Sequence, residues 1–457
     1  MHMSYGVNSE NLNRKIDEAF SAILIEQSKF DAVKPPNEND SKETAALLEK
    51  YGQLRGRGFF YPYLSTGRGH GPFTECTDGS IKYDLIGGIG PNILGHSHPL
   101  YIKSHLEAAK LDSIMCGNLQ PYPQTFELSE LLINSVSKSK LKHFWYAGSG
   151  SFANDTALKM IWQKKDPAYK IIAFEHAFAG RSVATQDITY NAAYREGMPK
   201  NIEVDYIPHF DFKNPEESTK NSLGRLKELL EKNKGQYAAL MIEIVQGEAG
   251  IVAGTRDFYV QLFDLAKAHG LYIWIDEVQS FARTHQLFAF QHFELDEYVD
   301  IVSVGKALQV CGVLFSEELN PKPGLVSGTF NGALSAVIAG HMIIRYLTEG
   351  NFFGSNGRNA HLEKEFVTRL SKLANGSCKE KIGHFEATGL MVAFQVGDGS
   401  KDIIATFLKK LFENGIVAFS AGKDPVRVRF LPPLCLEDKH LDEIFSIVEK
   451  TILEVVG

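Results

Sequence analysis

The chain has 457 residues, 44% of them hydrophobic and 23% charged, a balance that suits a globular protein able to bury a sizeable core. Its net charge of −7 offers no positive field to a polyanion, so nucleic acid is set aside and a small-molecule partner is expected. The five cysteines are scattered without a CxxC spacing, no apolar leader opens the chain, and no apolar run reaches the roughly 20 residues of a membrane helix. These features argue against a disulfide framework and a zinc site, and the expectation is a cytoplasmic protein away from membranes.

In chain order, residues 14–27 have the apolar spacing of a helix, and Pro35, Pro36 and the polar run after them mark an exposed connection. From Arg55 to Pro99 the chain is rich in glycine and aromatic residues. There Ile81-Lys82-Tyr83-Asp84 reads as a strand entering a glycine-rich loop, and the aromatic stretch Phe59–Tyr63 either packs or shapes an entrance, with packing favoured. Between 103 and 345, helical patterns alternate with short continuous apolar runs: HFWYA, KIIAFE, YAALMIEIV, LYIWIDEV, DIVSVG and VCGVLF. Runs of this kind between helices predict strands buried on both faces of a largely parallel sheet, an α/β fold. Residues 346–457 mix amphipathic helices with strand-like LMVAFQV and VRVRF, which predicts a smaller α+β domain. The expected organisation is an N-terminal segment (1–102) belonging to the small domain, a large α/β domain (103–345) and a C-terminal small domain (346–457).

Ligands in open α/β sheets sit beyond the carboxyl ends of the strands, so polar residues there come first. Asp276 follows the apolar run Leu271–Ile275. A carboxylate buried there needs a cation or several donors, and a pyridinium nitrogen would serve, although a strand-end Asp also caps helices. Lys306 ends the run DIVSVG, where desolvation would favour a neutral, nucleophilic amine; a solvated surface lysine is the ordinary alternative. Ser149-Gly150-Ser151 lies between a strand and a helix, where unpaired N–H groups and the helix dipole suit a phosphate. Its spacing matches neither GxGxxG nor GxxxxGK[ST], which weakens a reading as an NAD or ATP site. His96 and His98 have no further ligands nearby in sequence and are read as structural.

Taken together, these segments resemble the class III aminotransferases of the ornithine and GABA type. Thr77-Asp78-Gly79 through Asp84, with Asn92–Pro99, resembles D-G-x-x-Y-x-D…N-x-G-H-x-H-P. Ser149–Asp155 is similar to S-G-A-E-A-N-E, and Glu243–Glu248 to E-P-x-Q-G-E; Asp276–Ser280 and Gly305-Lys306-Ala307 complete the order. The resemblance implies fold type I, with a mainly parallel seven-stranded sheet plus a smaller α+β domain, and pyridoxal 5'-phosphate as cofactor. It further implies that Lys306 carries the cofactor and shuttles the proton, while Asp276 keeps the pyridine nitrogen protonated. Phe178 and Val278 would pack on the two ring faces, Gln279 would bond near the 3'-oxygen, and Ser149, Gly150 and Ser151 would take the phosphate. Thr329 would reach the phosphate of the neighbouring subunit in a homodimer. Glu248 would pair with Arg429 and release it for the carboxylate of 2-oxoglutarate.

Within the family, two stretches resemble the lysine ε-aminotransferases. Phe178-Ala179-Gly180-Arg181-Ser182 is similar to F-H-G-R-S, whose arginine grips the substrate α-carboxylate, and Gly305–Gly312 is similar to G-K-K-T-Q-V-C-G. The implied reaction moves the ε-amino group of lysine to 2-oxoglutarate, giving 2-aminoadipate 6-semialdehyde and glutamate; ornithine, acetylornithine or GABA is the alternative donor. An aminomutase and a non-catalytic homologue stand further off. Phe152, Ala179 and Ile244 replace the family's Glu, His and Pro, and these departures bear on the donor more than on the chemistry.

Overall fold

The computed structural model describes residues 9–59, 61, 63–111 and 120–457. Phe60 and Pro62 of the aromatic stretch, and Cys116, lie outside the described residues. The chain divides into two units: Glu107–Ala360 forms one, and the segments ending at Leu106 and beginning at His361 form the other. No helix among the described residues is long and apolar enough to cross a membrane.

Seven strands build the sheet of the first unit, in the spatial order Leu141–Ala147, Cys311–Ser316, Ile301–Val304, Tyr272–Asp276, Tyr237–Ile242, Lys170–Phe174, Val204–Ile207. The last five are mutually parallel. Cys311–Ser316 runs antiparallel to both of its neighbours. Two reversals cancel, so Leu141–Ala147 points the same way as the parallel five, and all six of their carboxyl ends lie along one edge. The expected seven-stranded, mainly parallel sheet is what forms. Its central strands are fully buried, as their uninterrupted apolar runs require. Val204–Ile207 is a strand the apolar runs did not announce, because its middle residues Asp205 and Tyr206 are only half-buried at the sheet edge.

The helix Gly150–Lys165 covers one face of this sheet. Ala153, Ala157, Met160 and Ile161 are fully buried and join a core that includes Trp274, Ile301 and Val313. Ser149 caps it by accepting a hydrogen bond from the Phe152 N–H at 3.3 Å.

The second unit holds two four-stranded sheets. One joins Ser65–His70, Phe73–Cys76 and Ile81–Asp84 to Ile416–Val417; the other is antiparallel, with Arg427–Phe430 between Met391–Val396 and Phe419–Ala421. His96 Nε2 donates at 2.9 Å to the Asp84 carboxylate, which also accepts from the Ile86 and Gly87 N–H groups. Burial pushes Asp84 up, but these partners outweigh it and hold its carboxyl below the usual range. Tyr63 stacks on Phe412 and Tyr61 bonds the Ala418 carbonyl, so these two aromatics pack within the unit.

Candidate active site

Asp276 and Lys306 both lie where the parallel strands end. Asp276 is the last residue of its strand, buried, with Oδ1 accepting from the Val278 N–H at 2.8 Å and Oδ2 from Asn154 Nδ2 at 2.6 Å. Burial pushes its carboxyl up; those two bonds and the nearby Lys306 ammonium pull it down. Lys306 lies two residues beyond Val304, on the same edge, with φ of 45°. A left-handed lysine is uncommon, and such strain is held where surrounding structure over-determines it.

Three segments meet around Val278. A Cβ on Gly150 would lie 2.8 Å from Val278 Cγ1, and one on Gly305 would lie 3.4 Å from the same atom and 2.8 Å from Cys311 Sγ. Any larger residue at 150 or 305 collides, so the helix start and the lysine's own neighbour close on one valine. A Cβ on Gly247 would come within 2.3 Å of Gln279 Oε1, which brings the Glu243–Glu248 segment against the buried Gln279.

The stretch that carries Phe178 and Arg181 is fastened by its main chain. The Phe178 N–H donates to Glu243 Oε2 at 2.9 Å, Ala179 N–H to Thr189 Oγ1 at 2.9 Å, and Arg181 N–H to Ser151 Oγ at 3.2 Å. The Ala179 carbonyl accepts from Asn154 Nδ2 at 2.7 Å. Ser151 therefore spends an acceptor lone pair and keeps its O–H proton for another group. Thr329 is exposed in a turn that Asn331 ties to the Tyr146 carbonyl at 2.9 Å.

Of the predicted residues, Lys306, Asp276, Ser149, Gly150, Ser151, Phe178, Val278, Gln279, Arg181, Glu248 and Thr329 all belong to the first unit. Arg429 belongs to the second, where it is fully buried on the Arg427–Phe430 strand with its guanidinium 5.8 Å from the Phe419 ring centroid.

Two buried groups escaped the sequence reading as individual residues. Asn154 joins Asp276 to Ala179, and its signal was a polar residue one turn after Ser151 on an otherwise apolar helix face. Glu243 follows the buried run Tyr237–Ile242 as Asp276 follows its own. Burial, then the neighbouring Asp276, pushes the Glu243 carboxyl up to about 8. Its unfolded value is lower, so the folded protein prefers the protonated form. That contribution to stability is complete below the unfolded pKa and is lost as pH rises towards about 8. We expect Glu243→Gln to flatten the fall in melting temperature of the cofactor-free protein over that interval; an unchanged slope would show that Glu243 does not set it.

Similar solved structures include an aminotransferase from Bacillus anthracis (TM-score 0.81, 17% identity, 91% of this chain and 99% of the other) and the lysine aminotransferase of M. tuberculosis (TM-score 0.78, 21% identity, 89% and 99%). The fold is that of the fold type I pyridoxal-phosphate transferases. Residues 59–452 match the family "Aminotransferase class-III", and the chain belongs to it. Among curated proteins it is similar to the acetylornithine aminotransferases of Aquifex aeolicus (27% identity, covering 84% of this chain and 96% of the relative) and Methanocaldococcus jannaschii (28%, 91% and 99%). Class III enzymes use pyridoxal 5'-phosphate with an amino donor and a keto acid, and usually act as dimers.

The residues present fit that cofactor. Asp276 is a buried carboxylate whose ionised form has, among the described residues, no close cation other than Lys306, which is the environment a pyridinium nitrogen would relieve. The start of the helix Gly150–Lys165, with a glycine that admits no side chain and a serine with a proton to donate, suits the phosphate.

Proposed function

We propose that the chain transfers the ε-amino group of L-lysine to 2-oxoglutarate, with Lys306 as the cofactor-bearing residue and Arg181 as the donor's α-carboxylate anchor. The observation that carries the reading is Arg181 itself. Its guanidinium makes no ion pair among the described residues, yet it follows Phe178 by three positions on a segment fastened to Glu243 and Ser151. An arginine with unspent in-plane donors beside the cofactor residues suits a carboxylate held by two parallel hydrogen bonds.

When bound, the cofactor supplies an electron sink that weakens the C–H bond at the carbon bearing the transferred nitrogen. Lys306 Nζ would take up that proton and hold it beside the reacting carbon. The Asp276 carboxylate stabilises positive charge on the ring nitrogen, and Asn154 holds the carboxylate's direction. Phe178 and Val278 would pack on the two ring faces, and Gln279 would donate to the 3'-oxygen. Ser149, Gly150 and Ser151 bind the phosphate, with Thr329 of a second copy assigned to the same group.

The names of the curated relatives favour a second reading, N-acetylornithine as donor. L-lysine, L-ornithine, N-acetyl-L-ornithine and 4-aminobutyrate, each supplied with 2-oxoglutarate, separate the two through glutamate formation. L-lysine is expected to give the highest kcat/KM. A higher value for N-acetyl-L-ornithine would replace the donor and leave the class unchanged.

A further inference from the structure

Arg181 is exposed, and the contact that holds its guanidinium is aromatic: its central carbon lies 4.0 Å from the centroid of the Tyr194 ring. An aromatic face engages the flat side of a guanidinium and leaves the N–H groups at its rim available. The same ring meets Phe178 edge to face, with centroids 6.3 Å apart and planes at 87°. Tyr194 thus touches both the residue assigned to the cofactor ring and the residue assigned to the donor.

The ring is itself held in place. It sits in the short 3-10 helix Ala192–Arg195, whose start is capped by the Asn191 side chain accepting from Ala193 N–H at 3.2 Å. At its end, Arg195 Nη1 donates to the carbonyls of Gln186 at 3.2 Å and Thr189 at 2.7 Å. Thr189 in turn accepts from the Ala179 N–H and donates to the Gly180 carbonyl, so the Tyr194 helix and the Arg181 segment share one anchor. The Tyr194 hydroxyl makes no hydrogen bond among the described residues, which leaves the ring as the working part.

We propose that Tyr194 is a positioning residue for donor recognition, its ring face holding the Arg181 guanidinium so that the in-plane N–H groups meet the donor's α-carboxylate. This rests on the assignment of Arg181 above. Without the ring, Arg181 samples its full set of rotamers and must be ordered each time a donor binds.

The test uses the cofactor-loaded enzyme and three variants, Tyr194→Leu, Tyr194→Phe and Arg181→Met, together with the Tyr194→Leu/Arg181→Met double variant. Each is first checked for an unchanged melting temperature. The donor is the one with the highest kcat/KM in the panel, and its decarboxylated counterpart (pentane-1,5-diamine for L-lysine) is measured as a competitive inhibitor. Tyr194→Leu is expected to raise the donor KM about three- to tenfold, the scale of one cation–π contact, with kcat within about twofold. The inhibition constant of the diamine should stay unchanged, Tyr194→Phe should match the parent, and the leucine should add nothing in the Arg181→Met background. A parallel weakening of the diamine, a phenylalanine variant that behaves like the leucine one, or additive effects in the double variant would overturn the proposal. If Arg181→Met leaves the donor KM unchanged, the Arg181 assignment fails and Tyr194 falls with it. If Arg181→Met raises the KM and Tyr194→Leu does not, Tyr194 alone is refuted.

Discussion

Lys306→Ala should abolish transamination, with a loss on the order of a thousandfold or more in kcat, and should remove the absorbance of lysine-bound cofactor from the purified protein. Two functions depend on one nitrogen: covalent retention of the cofactor and proton transfer at the reacting carbon. The backbone there is left-handed, at φ of 45°, and alanine tolerates that conformation no better than lysine. Backbone strain should therefore be unchanged, whereas loss of the ammonium beside the buried Asp276 should lower the melting temperature of a protein that still folds. Retention of both the absorbance and the parent rate would refute the central assignment. Loss of activity accompanied by loss of folded protein would instead point to a structural role.

Asp276→Asn should lower kcat by about 10²- to 10³-fold, the scale of removing one preorganised charge from a water-excluded site. The substitution keeps the shape and removes the negative charge. It also disturbs a satisfied pair of bonds, since Asp276 now accepts from both the Val278 N–H and Asn154 Nδ2. An amide has one acceptor oxygen, so one of these donors would face an NH2 group, at a cost of about 1–3 kcal/mol in stability. Glu243 would respond in the opposite sense. Losing the Asp276 charge removes one of the three causes that push its carboxyl up, so the pH-dependent part of stability should shift to lower pH. A parent-like kcat in Asp276→Asn, measured at saturating cofactor, would remove Asp276 from the chemistry.

The strands of the large unit were legible because sheets covered on both faces demand unbroken apolar runs, and Tyr237–Ile242 and Tyr272–Asp276 have them. Val204–Ile207 and Ile382–Thr388 were not, since half-buried strands carry polar residues that blur the pattern. Lys306, Asp276 and the Gly150 turn were visible as a spaced series at strand ends. Asn154 and Tyr194 were not visible as site residues. The Asn154–Asp276 bond spans 122 positions, and Tyr194 matters only through a ring face that meets Arg181 in space. Contacts of that kind are created by the packing of elements and leave no mark on periodicity or spacing.

The segment from Phe178 to Arg181 is secured through amide and carbonyl groups that every residue possesses, by Glu243, Thr189, Asn154 and Ser151. Gly180 is fixed by its φ of 121° and by Ser151, which leaves no room for a Cβ, but the bonds that hold positions 178, 179 and 181 do not depend on their side chains. Alanine can then stand at 179 where the F-H-G-R-S motif has histidine without the loop changing course, and position 181 can be exchanged in the same way. Such a loop works as a replaceable tool head on a fixed mount. Laboratory evolution of donor preference would find substitutions here cheap to try, whereas changes at Thr189 or Asn154, which hold the mount, should be tolerated rarely.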